Sequence, residues 1–355
     1  MSTGGIPTGH AVSPDSGRHW ADEGAWEVAE GVYRVPLPLP MDALKAINVY
    51  VVQGDDGLTL IDGGWSIPVA RQLLDRSLRS IGSGFGDIKR FLVTHVHRDH
   101  FTLATVLGHE YGADVALGEG ERPALDLLNR ASADGLDESP FLDVLRTAGA
   151  AEIADEWAAG PRDLPQAVDW AYPDTWLDGD LTLDIGRRRL DAVHTPGHTP
   201  GHYVFADQAE GVLFSGDHVL PTITPSIGFT VPPSDQPLGH FMASLARVRE
   251  LPDLRILPAH GPVAPSSYQR VDELLEHHEH RLDLCLTSLK ERGTATSLVV
   301  AKDLGWTRHE RAFAELDVFS QGMAAMETKA HLDLLVARGQ ASAEDLADGV
   351  VYRAS

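Results

Sequence analysis

The chain has 355 residues, 43% apolar and 23% charged, as in a water-exposed globular protein with one large domain or one domain plus an appendage. Its net charge of −23 disfavours long nucleic-acid substrates, although bound cations would reverse the sign locally. The single cysteine, Cys285, excludes an internal disulfide, and no apolar run reaches membrane-spanning length.

Residues 1–25 are rich in Gly, Ser and Pro, lack the apolar stretch of a secretory signal, and are expected to form a loose arm. A cytoplasmic location is the default expectation. From Val32 onward short apolar runs end in turn residues. The segments 48–53 and 58–62, joined by Gly-Asp-Asp-Gly, predict a β-hairpin that Gly63-Gly64 interrupts. Val69, Leu73, Leu74, Leu78 and Ile81 share a helical face, which predicts a helix over 69–81. Residues 90–94 read as a short buried strand. Residues 119–160, rich in Ala, Leu, Asp and Glu, predict two or three inserted helices, either a cap over an active site or a structural embellishment. Strands are expected over 176–183, 189–194, 202–206, 211–215 and 255–258. Beyond Val271 the pattern predicts a helix to Arg292, helical stretches over 297–304 and 309–336, a stop at Gly339 and a strand over 349–353. This order suggests a main domain over 26–270 and a small winged-helix-like appendage over 271–355.

The run Thr94-His95-Val96-His97-Arg98-Asp99-His100 is hard to explain as packing. Its three imidazoles and carboxylate repel or desolvate one another unless a cation holds them. Imidazole and carboxylate suit zinc first, with iron and manganese as alternatives. At a strand end His95 and His97, two apart, can point the same way, while Asp99 and His100 turn toward a second ion. Two ions roughly 3.5–4 Å apart need a bridging ligand. Asp217, in Ser215-Gly216-Asp217-His218 after a strand, is the candidate.

Together with Thr195-Pro-Gly-His198-Thr199 and Pro258-Ala-His260-Gly261, these motifs resemble the metallo-β-lactamase-fold hydrolases. The glyoxalase II, thioesterase, lactonase and nuclease branches share them, and the resemblance covers roughly residues 30–265. It implies an α/β fold, an αββα sandwich carrying the helical insertion and a small C-terminal winged-helix-like domain. It also implies two divalent metal ions: His95, His97 and His198 on one, Asp99, His100 and His260 on the other, Asp217 bridging. Asp62, in Leu60-Ile61-Asp62-Gly63-Gly64, matches the strand-end acid and is expected to orient a ligand histidine. A turn-forming Asp before Gly-Gly is the structural alternative. The segment from Thr328 to Gly339 resembles the winged-helix appendage of a branch that includes a metal-dependent ribonuclease. From Arg281 onward, however, there are 9 Lys/Arg against 11 Asp/Glu, whereas a winged helix that reads nucleic acid is normally basic. The appendage is therefore expected to be structural or interfacial. Phe101-Thr-Leu-Ala104 departs from the small Ala-Gly pair of glyoxalase-II-like chains, no cysteine takes a ligand position, and the insertion is longer than in compact lactonases.

The implied reaction is hydrolysis of a small acyl substrate, an ester, thioester or lactone. Metal-bridging water loses a proton near neutral pH and attacks the carbonyl carbon. Asp99 guides the proton, so Asp99 and Asp217 are the catalytic carboxylates. No Gly-x-Ser-x-Gly elbow competes with this reading. The apolar, hydroxyl-bearing run from Thr222 to Phe229 is expected to line an acyl pocket, completed by Trp65 and the 119–160 helices. His218 either lines it or bonds a backbone group. His194 and His202 flank His198 and are alternatives for its place. His277, His278 and His280, with Glu276 and Glu279, read as a solvated helix face; His240 and His331 read as structural, and Cys285 as a core residue. Competing readings are a phosphodiesterase or ribonuclease, an iron-dependent sulfur or oxygen oxidoreductase, and a non-catalytic binding module. Neither nucleic acid nor membrane is an expected partner, and a homodimer is compatible with the sequence.

Overall fold

The protein is described by a computed structural model covering residues 19–40, 44–134, 139–160, 170–307 and 309–355. Most of the N-terminal arm expected over 1–25 lies outside these residues. Two sheets form the centre. β1 (Trp26–Ala29), β2 (Val32–Pro38), β3 (Ala46–Gln53), β4 (Leu58–Ile61), β5 (Ile88–Leu92), β6 (Asp114–Gly118) and β7 (Thr175–Leu177) lie in chain order in a seven-stranded sheet. β8 (Leu181–Ile185), β9 (Arg188–His194), β10 (Tyr203–Asp207), β11 (Val212–Gly216) and β12 (Arg255–Pro258) form a five-stranded sheet, again with neighbours in chain order.

Side-chain alternation explains the layering. In β3, Tyr50 and Val52 face the second sheet, where they meet Phe205, Phe214 and Leu257. Ile47, Val49 and Val51 face the other way, toward α1 (Pro68–Ser80) and α2 (Arg98–Tyr111). β10 divides in the same manner. Tyr203 and Phe205 fill the space between sheets, while Val204 and Ala206 lie under outer helices. α3 (Arg122–Asp134), α4 (Ser139–Thr147) and α5 (Ala151–Ala159) form the insertion. α6 (Pro237–Glu250) and α7 (Ser267–Arg292) cover the second sheet through Leu238, Phe241, Leu245, Val271 and Leu274. The order of layers is helix, sheet, sheet, helix, as the resemblance implied. The C-terminal elements are α8 (Ser297–Ala301), α9 (Val318–Ala337), and β13 (Ala295–Thr296), β14 (Ala341–Leu346) and β15 (Gly349–Ala354), which form a three-stranded sheet. Among the described residues no helix is long and apolar enough to cross a membrane.

Several expectations need correction. The strand expected over 176–183 is two strands in different sheets. The chain turns at Gly179 (φ 64°), so β7 closes one sheet and β8 opens the other. The apolar residues at both ends of the turn conceal the change of sheet. Val69 is 44% exposed, and Ala70 takes its place on the buried face of α1. Within 309–317 the only helical piece is a 3₁₀ turn over Phe313–Glu315; α9 begins only at Val318, where the Asp317 side chain accepts the Ser320 N–H as N-cap. α2 and α6 were not expected. His278 is fully buried against Phe241 and His331, not on a solvated face. Cys285 is a buried core residue as expected.

Phe214 bridges the layers, its ring edge-on to Tyr50 at 5.4 Å. Phe214→Ala is expected to cost about 3–5 kcal/mol, measured as a lower denaturant midpoint with an unchanged slope.

Candidate metal centre

β4 and β5 run parallel in one sheet, and β9, β11 and β12 run in one direction in the other, through the parallel pair β11–β12 and the antiparallel steps from β9 to β11. The loops after their C-terminal ends converge. Asp62 follows β4, His95 and His97 follow β5, His198 follows β9, Asp217 follows β11 and His260 follows β12. Asp99 and His100 occupy the first turn of α2, which starts at Arg98. The unexpected helix is what carries Asp99 and His100 toward the second group of donors, although the His100 ring stays 3.9 Å from that of His95.

All seven donors predicted from sequence come together. His95 Nε2 lies 2.9 Å from His97 Nδ1 and 3.3 Å from His198 Nε2, and His198 Nε2 lies 3.1 Å from His97 Nδ1. His260 Nε2 lies 3.4 Å from Asp99 Oδ2 and 3.4 Å from Asp217 Oδ1, while His100 Nε2 is 3.7 Å from each. Asp217 Oδ2 is 3.6 Å from His198 Nε2. One carboxylate therefore faces both groups. The sets His95–His97–His198, His95–His100–Asp217 and Asp99–His100–His260 are each close enough to share an ion.

The remaining ring nitrogens fix the orientation. His198 Nδ1 donates to Ser226 O at 2.8 Å and His260 Nδ1 to Ala46 O at 2.8 Å. His100 Nδ1 meets Asp62 Oδ2 at 2.9 Å, and Asp62 also accepts from the Thr94 N–H and hydroxyl. With Nδ1 carrying the proton, each Nε2 offers its lone pair inward. Asn48 ties the last loop across the sheets by donating to Pro258 O and Gly261 O, each at 2.9 Å.

The electrostatics ask for a cation. Burial, with neighbouring imidazoles, holds His95 well below the usual histidine range, and burial with His198 pushes His97 down to about 3. His100 goes the other way, up to about 10: burial opposes its charge, but Asp62, Asp99 and Asp217 outweigh burial. The same contest, won by Asp217 and Asp99, raises His260. His100 Nε2, His260 Nε2 and Asp217 Oδ1 are buried without a hydrogen-bond partner. Buried donor atoms left without a hydrogen-bond partner and converging beside a carboxylate fit a divalent metal, which would displace the protons drawn onto His100 and His260.

The alternatives for His198 lie elsewhere. His194 Nε2 meets Pro200 O at 2.9 Å. His202 stacks on His95 at 5.1 Å, and its Nε2 accepts the Asp217 N–H at 3.2 Å, so it packs behind two donors. His218 is fully buried between His202 and Phe241, which removes it from the open mouth. Trp65 is half-buried under the Arg98 guanidinium, Thr222 is exposed beside Gly261, and Phe229 stands 6.4 Å from His97. Sequence reasoning missed Thr94, His202 and Glu121 as supports of the donors. Only His202 carried a signal, the Thr-Pro-Gly-His repeat.

A family model described as the metallo-beta-lactamase superfamily matches residues 43–260. The chain is 25% identical to a probable metallo-hydrolase, YqjP, of Bacillus subtilis, over 87% of this chain and 93% of that protein. It is 33% identical to a beta-lactamase-like protein 2 homolog of Caenorhabditis elegans over 40% of this chain, and spans only 45% of that relative's length. It is 24% identical to an atrochrysone carboxyl ACP thioesterase of Aspergillus fumigatus over 80% of this chain and 54% of that protein. The crystal structure of a metallo-beta-lactamase family protein from Thermus thermophilus superposes with a TM-score of 0.75 at 28% identity, covering 93% of this chain and 100% of that one.

Asp217→Ala removes the carboxylate that both donor sets face. Metal analysis of the variant is expected to show at least one equivalent lost relative to the parent; equal content in both would contradict the shared role.

Proposed function

Because the chain belongs to the metallo-beta-lactamase superfamily, we propose that it is a dinuclear metal-dependent hydrolase of a small acyl substrate, with a thioester ahead of an ester or lactone. The observation that carries this reading is the Asp217 carboxylate, with Oδ2 toward His198 and Oδ1 toward His100 and His260. His95, His97 and His198 would hold one ion, Asp99, His100 and His260 the other, and Asp217 would join them. The all-nitrogen and oxygen donor set suits zinc, with iron and manganese as alternatives. When bound, such a pair supplies a water deprotonated near neutral pH and a Lewis acid for the carbonyl oxygen.

The chain's own groups do the rest. Asp62 keeps the proton of His100 on Nδ1. Asp99, whose side chain is 14% exposed, stays ionised: burial opposes its charge, but His100 and His260 hold it below the usual carboxylate range. It is the group at the mouth able to orient or accept a proton during attack.

An aromatic wall stands beside His97. Phe229 stacks on Phe141 of α4 at 4.6 Å and lies edge-on to Trp157 of α5 at 6.4 Å and Phe319 of α9 at 6.0 Å. Trp157 and Phe319 stack at 5.0 Å. The Trp157 indole rests on α9 at Gly322, where a Cβ would come within 2.3 Å of the ring. Phe319 nevertheless remains 55% exposed. A wall of this kind supports an apolar acyl group held against the donors. The expected pocket residue Phe229 is thus joined by the insertion and by α9. The C-terminal order helix, strand, helix, helix, strand, strand supports the winged-helix-like reading. The thioesterase name among the relatives supports the acyl bond as target.

On metal-analysed protein, thioester or ester turnover is expected, lost on chelation and regained on adding zinc. Cleavage of bis-p-nitrophenyl phosphate with none of any thioester, ester or lactone would overturn the acyl reading, and a redox-active iron spectrum would favour the oxidoreductase. Phe319→Ala is expected to raise KM for bulky acyl substrates about tenfold, or ~1.4 kcal/mol, with kcat little changed; steady-state kinetics across an acyl series would check it.

A further inference from the structure

Glu121 is a buried acid that the reaction described above does not use. It ends the short turn Glu119–Glu121 between β6 and α3, and it is 1% exposed. Its carboxylate accepts the hydroxyl of Thr199 and the backbone N–H groups of Gly201 and Val96. The backbone on either side is pressed against the same loop. A Cβ on Gly118 would come 2.0 Å from Gly201 O, and one on Gly120 would come 2.6 Å from Pro200 O. The carboxyl is closed off from bulk solvent, and burial pushes it up to about 7 against those three donors. No cationic side chain contributes to that shift. A buried carboxyl that relies on hydrogen bonds alone is costly, and packing does not require it.

Its partners are not scattered. Val96 lies between His95 and His97, and Thr199 follows His198. The three imidazoles at 2.9–3.3 Å from one another come from two loops, and Glu121 holds one loop to the other. The second donor set reaches the centre by other routes. Asp99 and His100 are set by α2 and Asp62, and His260 by Ala46 and the Asn48 tether. We propose that Glu121 is a positioning residue for one metal position only, the one formed by His95, His97 and His198, by clamping the loop of the first two to the loop of the third. The inference concerns metal binding and rests on the donor assignment, not on the substrate.

The test is zinc affinity, equivalent by equivalent, by competition with a chromophoric chelator on full-length protein stripped and reloaded with zinc. Loss of supports behind metal ligands typically weakens binding about 10- to 100-fold, so Glu121→Ala is expected to weaken one zinc equivalent by that factor and spare the other. Glu121→Gln is expected to recover most of the loss, because its amide oxygen can accept both backbone N–H groups and its NH2 can donate to Thr199 Oγ1. A purely structural role would weaken both equivalents together, lower the melting temperature of the metal-free protein in step, and gain nothing from Gln. That pattern, or unchanged affinity in Glu121→Ala, would overturn the proposal. Should Glu121→Ala fail to fold, Thr199→Val removes one of the three donors; a several-fold loss confined to the same equivalent is expected, and no loss would overturn the idea. Failure to hydrolyse any acyl substrate would leave this readout intact.

Discussion

Unshared lone pairs aimed at one buried point dominate this molecule. His100 Nε2, His260 Nε2 and Asp217 Oδ1 have no hydrogen-bond partner, and the three nitrogens of His95, His97 and His198 crowd within 3.3 Å. Neutral imidazoles facing one another gain nothing, and unpaired carboxylates in the same space repel. Without another cation, the protons drawn onto His100 and His260 are the nearest remedy. Metal binding would replace those protons and satisfy every orphan at once, which ties the stability of this region to its chemistry.

The fold supplies this concentration of polar groups by keeping it at an edge. The space between the sheets is filled by Tyr50, Phe205, Phe214 and Leu257, with their apolar alternates under the helices. Donors appear only where the strands stop. Each then needs a support, and the supports come from neighbouring elements: Asp62 from the end of β4, Asn48 and Ala46 from β3, Ser226 from the loop after Asp217, Glu121 from the start of the insertion. The carbonyls and carboxylates behind the imidazoles decide which nitrogen is free, so the tautomers follow from topology.

What the sequence reveals follows from locality. The His95–His100 run is contiguous, and its crowding is legible without coordinates. The alternation in 46–53 and the helical face around Leu73, Leu74 and Leu78 are local as well. α2 escapes because its first turn is composed of chemistry, Arg98-Asp99-His100, and not of an apolar stripe. The division of 176–183 between two sheets escapes because only Gly179, at φ 64°, marks it. His278 escapes for a different reason. Among Glu276, His277, Glu279 and His280 it looks solvated, yet Phe241 and His331 approach from elements far along the chain and bury it. Glu121 carries no local signal among its acidic neighbours, because Pro200 and Gly201 reach it from a loop far along the chain.

The C-terminal elements belong in the account of the site for the same reason of long-range contact. Their slight negative charge gives no basis for nucleic-acid reading, and a unit that only decorated the surface would not need a glycine at 322 to receive an indole. Trp157 lies on that glycine, donates its N–H to Val318 O at 3.0 Å and stacks on Phe319, so α5 and α9 present one continuous aromatic face. Phe229 joins that face to the donors through its approach to His97. Changes in the insertion or in α9 therefore reach the mouth of the centre without altering any metal-ligand-type residue. The aromatic wall and the donor loops can vary separately in this architecture, because they meet at Phe229 and His97 alone among the ring contacts described.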